Sequence, residues 1–345
     1  MLIIIFLSFK IIGNKYIKKK HISDYFTTPF FSKFVVFRKY AQMIASKPLS
    51  KGAKIAIASP ARFITEDDLA YSIQNLKDRG FVPVYDERLF AVSDQFAGND
   101  ELRAALFQSY LDNHDIEAIL CARGGYGSIR IIDKLNFDKF KENPKWIIGY
   151  SDITVLHAKL QSLGYESLHA TMPINFRDNT KSALDSLYLA LSAQNLIYEV
   201  SSSPLNLCGS AEAELVGGNI SVLYSMLGSN SLPPTDGKIL FLEDLDEYLY
   251  HIDRMMFAFE RAGFLNNIKG LIIGGLTDMH DNKTPFGKTA EQIILERVAD
   301  KNIPVCFNFP AGHINDNRAL ILGKMTSLSV NDNTTSVKQI NCKSH

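Results

Sequence analysis

Trp146-Ile147-Ile148-Gly149-Tyr150-Ser151-Asp152-Ile153-Thr154 carries an apolar run straight into a helical pattern. The short run after Pro144 predicts a strand. Ile153, Leu156, Leu160 and Leu163 are spaced to share one helical face, and Gly164 is a natural stop. A serine at such a corner has its hydroxyl lifted clear of the sheet, beside helix amides able to meet a developing oxyanion. An isolated Ser-Asp pair at a helix start is more often an ordinary cap for orphan amides, so Ser151 as nucleophile needs support from elsewhere in the chain.

Outward from this corner, strand and helix alternate. Residues 54–59 predict a first strand, and 65–79 a helix with Thr65 and Asp68 in capping-box spacing and Gly80 as terminator. Residues 81–85 predict a strand that Pro83 confines to a sheet edge. A helix begins at Asn99, followed by a strand at 118–122, a glycine loop, a helix from Ser128 and the 146–150 strand. Such alternation predicts an α/β fold whose N-terminal, mostly parallel sheet is flanked by helices in Rossmann-like or flavodoxin-like fashion. Ser-Ser-Ser-Pro and Cys-Gly-Ser interrupt the periodicity at 201–213, which is read as a linker between an N-terminal domain, 51–200, and a C-terminal one, 214–335. Strands at 239–242, 268–273, 305–309 and 319–322 with two clear helices make the second a mixed, strand-rich α/β domain.

The 345 residues are 46% hydrophobic, enough for sizeable cores, and carry no net charge. That balance hides an asymmetry: residues 1–51 hold ten Lys/Arg and only Asp24 as an acid. The rest is acidic, with 27 basic against 36 acidic residues, which argues against nucleic acid as a partner. Residues 1–50 are read as a leader, disordered or preceding the true start of translation at Met43. The apolar stretch Leu2 to Phe9 precedes its lysines, the reverse of a secretory signal, and is too short to span a bilayer. A weak membrane-surface anchor is the alternative, and no stable membrane association is expected. Cys121, Cys208, Cys306 and Cys342 show neither paired spacing nor clustering with histidine, which predicts a reduced, cytoplasmic protein without a metal site.

A serine nucleophile needs a base and a group to orient it. Glu243 follows the apolar run Ile239-Leu240-Phe241-Leu242, and His313 lies in Pro310-Ala311-Gly312-His313 after another strand; both occupy strand ends, where parallel-sheet enzymes present catalytic side chains. Taken singly, Glu243 is better read as a solvated carboxylate at a turn and His313 as a loop histidine. Arg123-Gly124-Gly125-Tyr126-Gly127-Ser128 joins a strand to a helix without the dinucleotide spacing, so it supplies oxyanion amides, holds a phosphate, or is only a tight turn. Arg123 is a candidate for a terminal carboxylate. Gly217-Gly218-Asn219 reads as close packing with Asn219 capping a helix, or as substrate contact, and His169 as a cleft or a structural histidine.

Together with Ala56-Ile57-Ala58-Ser59-Pro60-Ala61, Phe96-Ala97-Gly98-Asn99-Asp100 and Leu242-Glu243-Asp244, these landmarks resemble, in order, the L,D-carboxypeptidases of the LdcA and microcin-resistance type, serine peptidase family S66. The likeness runs from about Lys54 to Ser329. It implies a triad of Ser151, Glu243 and His313, with oxyanion donors from the backbone of Asp152, Gly124 and Gly125. Arg123, Tyr126, His169 and Asn219 are then candidates for substrate contact. It also implies removal of the terminal D-alanine from a murein tetrapeptide in cell-wall recycling, no metal or organic cofactor, and a homodimer. An amidase of the microcin-resistance type, acting on aminoacyl-nucleotide conjugates, shares every one of these marks. A non-catalytic sugar- or peptide-binding module would not need all three triad residues, and a nucleotide-dependent oxidoreductase would need the missing fingerprint.

Overall fold

The computed structural model describes residues 43–341. The first strands are β1 (Lys54–Ala58), β2 (Val82–Val84), β3 (Ala118–Cys121), β4 (Trp146–Gly149) and β5 (Ser167–His169). Later come β6 (Leu196–Ser201), β7 (Gly209–Asn219), β8 (Ile239–Leu245), β9 (Gly270–Thr277), β10 (Val305–Cys306), β11 (Leu320–Leu322), β12 (Met325–Val330) and β13 (Thr334–Gln339). They form one sheet ordered β11-β5-β4-β3-β1-β2 and a second ordered β10-β9-β8-β7-β12-β13-β6.

In the first sheet β1 to β5 are all parallel, and β11 alone is antiparallel. Its central strands β3 and β4 are buried at every residue, as strands covered by helices on both faces must be. Pro83 does put β2 at the edge, where a missing N–H leaves no ladder bond unmade. The helix Glu66–Asp78 starts with the expected reciprocal box between Thr65 and Asp68, and Asn99 caps the helix Asp100–Asp112 by accepting from Leu102 N at 2.8 Å. In the second sheet β7 to β10 are parallel and β12, β13 and β6 antiparallel, the mixed arrangement expected for the second half.

Three boundaries differ from the sequence reading. Strand β6, placed in the N-terminal domain, pairs with β13 in the second sheet, and β7 already begins at Gly209. The proposed linker therefore shrinks to a loop inside the second sheet; its small polar residues suit an edge ladder as well as a connection. Conversely, β11 returns to the first sheet, pairing Leu320 with His169, because its three buried residues extend that sheet's core. Finally, residues 43–50 are part of the body and not a loose leader. Leu49 is buried and its N–H donates to Leu191 O at 2.7 Å, while the Trp146 indole donates to Lys47 O at 3.0 Å. The reading of residues 1–42 and of Cys342 lies outside the described residues.

Candidate active site

The candidate residues gather near the carboxyl ends of parallel strands. Beyond β4 the chain turns at Ser151, whose φ of +63° is left-handed, into a short 3-10 turn and then the helix Thr154–Leu163. A non-glycine residue held there is strained, and strain of this kind collects where a side chain must be aimed. Gly164 ends the helix in the left-handed conformation, as its position suggested.

Two elements of the second sheet approach this serine. Glu243 lies within β8 where the pairing with β9 shifts register, between Leu242 and Asp244. Such a bulge re-aims side chains, and here consecutive residues from Ile239 to Asp244 are all buried. His313 follows β10. Its Nδ1 lies 2.7 Å from Glu243 Oε2 and its Nε2 lies 3.0 Å from Ser151 Oγ. With Nδ1–H donating to the carboxylate, Nε2 is left to accept from the serine hydroxyl. Burial opposes charge on both partners, yet their mutual attraction outweighs it: Glu243 is held below the usual carboxylate range and His313 above the usual imidazole value.

The support around this chain of bonds is close. Gly312 has φ +102°, and a Cβ there would fall 2.7 Å from Glu243 Oε2. The Gly312 N–H donates to Asn317 Oδ1, the Thr277 hydroxyl to the His313 carbonyl, and the Tyr150 ring packs edge-on to the imidazole with centroids 4.9 Å apart. Asp244, beside Glu243, accepts from Asn219 Nδ2, Ser221 N and Leu245 N; burial and the neighbouring carboxylate push it up to about 7.

The glycine loop stands on the other side of the serine. A Cβ at Gly124 would lie 3.3 Å from Ser151 Oγ, so the loop packs closely against the serine side chain. Asp152 fastens loop and turn together: it is buried, and its Oδ2 accepts from Ser128 N at 2.8 Å. Burial pushes its carboxyl above the usual range, offset in part by the Ser128 donors. Behind the loop the buried Arg103 guanidinium donates to Pro60 O and Gly127 O and pairs with Asp100.

Other candidates sit elsewhere. His169 is fully buried, packed edge-on between Tyr150 and Phe241 with ring centroids 6.0 and 4.8 Å away, so it does not line a cleft; β5 is an interior strand of the sheet. Asn219 is buried as the cap of the helix Ile220–Ser225, accepting from Val222 N, with its amide spent on Asp244. Arg123 donates to Phe63 O at 3.4 Å, whereas Tyr126 is exposed beside Phe96. The sequence reading missed Arg103, although an arginine in register with Phe107 and Tyr110 on a helix face is a recognisable sign of a buried, working charge. It also missed Thr277 and Asn317, whose roles depend on contacts no local pattern encodes. Among the described residues no group of three His, Cys, Asp or Glu side chains is placed to hold a metal ion. No helix among them is long and apolar enough to cross a membrane.

Comparison with known proteins gives a consistent result. The profile of the LD-carboxypeptidase N-terminal domain, Peptidase_S66, matches residues 55–170, and that of the LD-carboxypeptidase C-terminal domain matches residues 212–328. A Streptomyces coelicolor protein classed as a carboxypeptidase is 30% identical, over 79% of this chain and 89% of its own. The murein tetrapeptide carboxypeptidase of Pseudomonas aeruginosa is 27% identical, over 81% and 94%. The crystal structure of muramoyltetrapeptide carboxypeptidase from Oxalobacter formigenes superposes with a TM-score of 0.76 at 26% identity, covering 84% of this chain and all of that one.

Proposed function

Because the chain belongs to the LD-carboxypeptidase family, peptidase S66, we propose that it is a serine-type L,D-carboxypeptidase that removes the C-terminal D-alanine from murein tetrapeptide. The observation that carries this reading is the continuous chain from buried Glu243 through His313 to Ser151, with the serine on a strained turn against a glycine loop.

In this mechanism Ser151 Oγ attacks the carbonyl of the diamino acid as His313 Nε2 takes its proton. Negative charge develops on the carbonyl oxygen within reach of the backbone N–H groups of Asp152 and of the Gly124–Gly125 loop. Collapse breaks the amide bond, His313 returns the proton to the departing amine, and D-alanine leaves. Water, deprotonated by the same imidazole, then attacks the acyl-serine ester; serine recovers its proton and the tripeptide is released. Glu243 holds the ring in the tautomer that leaves Nε2 basic and stabilises the imidazolium. Nucleophile and partners come from different sheets, so substrate binds between them.

We further expect a reduced cytoplasmic setting, in keeping with the unpaired Cys121, Cys208 and Cys306, and a homodimer, which light scattering would test. The direct experiment is D-alanine release from L-Ala-γ-D-Glu-meso-diaminopimelyl-D-Ala by the full-length protein and its Ser151→Ala variant, with and without chelator. Chelator-resistant release that vanishes in the variant supports the reading. A folded protein that releases none rejects the murein assignment and directs the search to aminoacyl-nucleotide conjugates.

A further inference from the structure

A carboxypeptidase must recognise a free carboxylate close to the scissile amide, and that recognition needs a cation or a cluster of amides facing the nucleophile. The sheet itself says where to look. From β2 to β5 the first sheet has the order 2-1-3-4-5, so the strand order reverses between β1 and β3. In open sheets of this kind the ligand crevice lies outside the carboxyl ends of the strands at the reversal. The loops leaving that point are the one after β1, which contains Arg62, and the glycine loop after β3.

Arg62 lies directly across the second loop. A Cβ at Gly125 would fall 2.6 Å from Arg62 Cδ and 2.8 Å from its Nε, so only glycine permits this approach. At the next residue back, Gly124, a Cβ would fall 3.3 Å from Ser151 Oγ. The arginine is therefore separated from the nucleophile by a single turn of glycine backbone. Its own backbone is pinned: Arg62 bridges Phe96, Ala97 N donates to Ala61 O at 3.1 Å, and Phe63 N donates to Gln95 O at 3.2 Å.

What singles out Arg62 is that its charge is uncommitted. It is exposed, and among the described residues neither an ion pair nor a side-chain hydrogen bond engages its guanidinium. Its neighbours are all occupied. Arg103 is buried in donors and acceptors, Arg130 pairs with Asp100, and Arg123 turns to Phe63 O, with its charge acting on Asp68. A planar fork of donors left open at the edge of an oxyanion loop matches a carboxylate in two parallel hydrogen bonds.

We infer that Arg62, and not Arg123, is the specificity-determining residue that receives the C-terminal carboxylate of the substrate. The inference rests on the carboxypeptidase reading and assigns its selectivity to one side chain. Binding the carboxylate across Gly125 would also place the preceding carbonyl carbon over Ser151, so the contact contributes to orientation as well as affinity.

The test compares two substrates, the tetrapeptide ending in D-alanine and the same peptide ending in D-alanine amide, with full-length wild type, Arg62→Ala and Arg62→Lys. Wild type should prefer the free acid. Arg62→Ala should lose about 10- to 100-fold in kcat/KM on the acid, as expected for a charge-assisted pair, and change little on the amide, so that the preference collapses. Arg62→Lys, a point charge without the fork, should keep part of it. Equal losses on both substrates would show that Arg62 only props the glycine loop, and no loss on either would show that the carboxylate is met elsewhere; both overturn the inference. So would a wild type indifferent to acid and amide. A wild type that cleaves neither peptide rejects the carboxypeptidase reading itself, and that result is evident before any variant is made.

Discussion

Ser151 Oγ and His313 Nε2 lie 3.0 Å apart although 162 residues separate them and the strands preceding them belong to different sheets. The bond between them depends on the packing of one sheet against the other as much as on either loop. It also depends on a backbone that an ordinary L residue resists.

That resistance can be measured. Ser151→Ala and Ser151→Gly should both lose at least about 10⁴-fold in kcat, since neither retains a nucleophile. Their stabilities should differ. Left-handed backbone costs a non-glycine residue roughly 1–2 kcal/mol, against about 0.4–1 kcal/mol of extra unfolded-state entropy for glycine. At φ +63°, Ser151→Gly should therefore unfold at higher urea than Ser151→Ala, by about 0.5–1 kcal/mol. An alanine variant that is the more stable of the two would show that the turn stores no strain.

Glu243→Gln separates orientation from charge. In the wild type the raised His313 holds its proton until the pH climbs past its ordinary value of about 6.5, so kcat/KM should fall as pH drops through a midpoint above that value. With glutamine the burial that opposes the imidazolium remains and the attraction that favoured it is gone. The acid limb should move to lower pH while the plateau falls by about 10³–10⁴, the scale of a base left in the wrong tautomer. A limb that stays in place would mean that another group governs it.

Much of this site is legible in the sequence for a physical reason: the residues that present chemistry on a parallel sheet stand at strand ends, and strand ends are marked by glycine, proline and the breakdown of apolar periodicity. Ser151 and His313 follow strands and carry that mark; Glu243 is marked by the break in the apolar run at 239–242, but it stands inside β8 at a register shift and not at the strand's end. What the sequence hides are the contacts across elements. Nothing local distinguishes Arg62 from Arg123, since both are arginines beside a tight turn; the difference arises because the sheet order sets the first loop over the second. His169 stands open in the sequence between a cleft and a structural role, and only its burial against Tyr150 and Phe241, on a strand buried on both faces, favours the second. The return of β11 to the first sheet is equally invisible: three apolar residues fit either core.

Gly312→Ala should be unusually damaging for so small a change. The new methyl would meet Glu243 Oε2 at 2.7 Å on a backbone with φ +102°, and the carboxylate has no room to retreat because Glu243 is fully buried. We expect a loss of about 2 kcal/mol or more in stability from strain and overlap together. The fall in kcat should be larger than that loss implies at a temperature where the variant is folded, because the Glu243 to His313 bond is what moves. Full activity in a folded Gly312→Ala protein would show that the carboxylate tolerates displacement.

His157 provides the control that separates catalytic titration from acid unfolding. It is buried in the helix after Ser151, its ring bonded to Ser167 Oγ and to Gly149 O, each at 2.9 Å, and burial lowers its pKa to about 3. A depressed folded value means that the unfolded chain takes up the proton first: the contribution to stability is complete above about 6.5 and is lost as pH falls toward 3. Between pH 7.5 and 5 this one ring should cost about 2 kcal/mol. Gln can keep a bond to the Gly149 carbonyl without titrating, so urea unfolding of His157→Gln should show a difference between those pH values smaller than wild type by about that amount, whatever its absolute stability. Gly149 lies two residues before Ser151, so protonation of His157 would loosen the strand that aims the nucleophile. If wild type and variant lose activity over the same pH range while only the unfolding curves diverge, the acid limb belongs to His313; if the variant stays active where wild type fails, it belongs to the fold around His157.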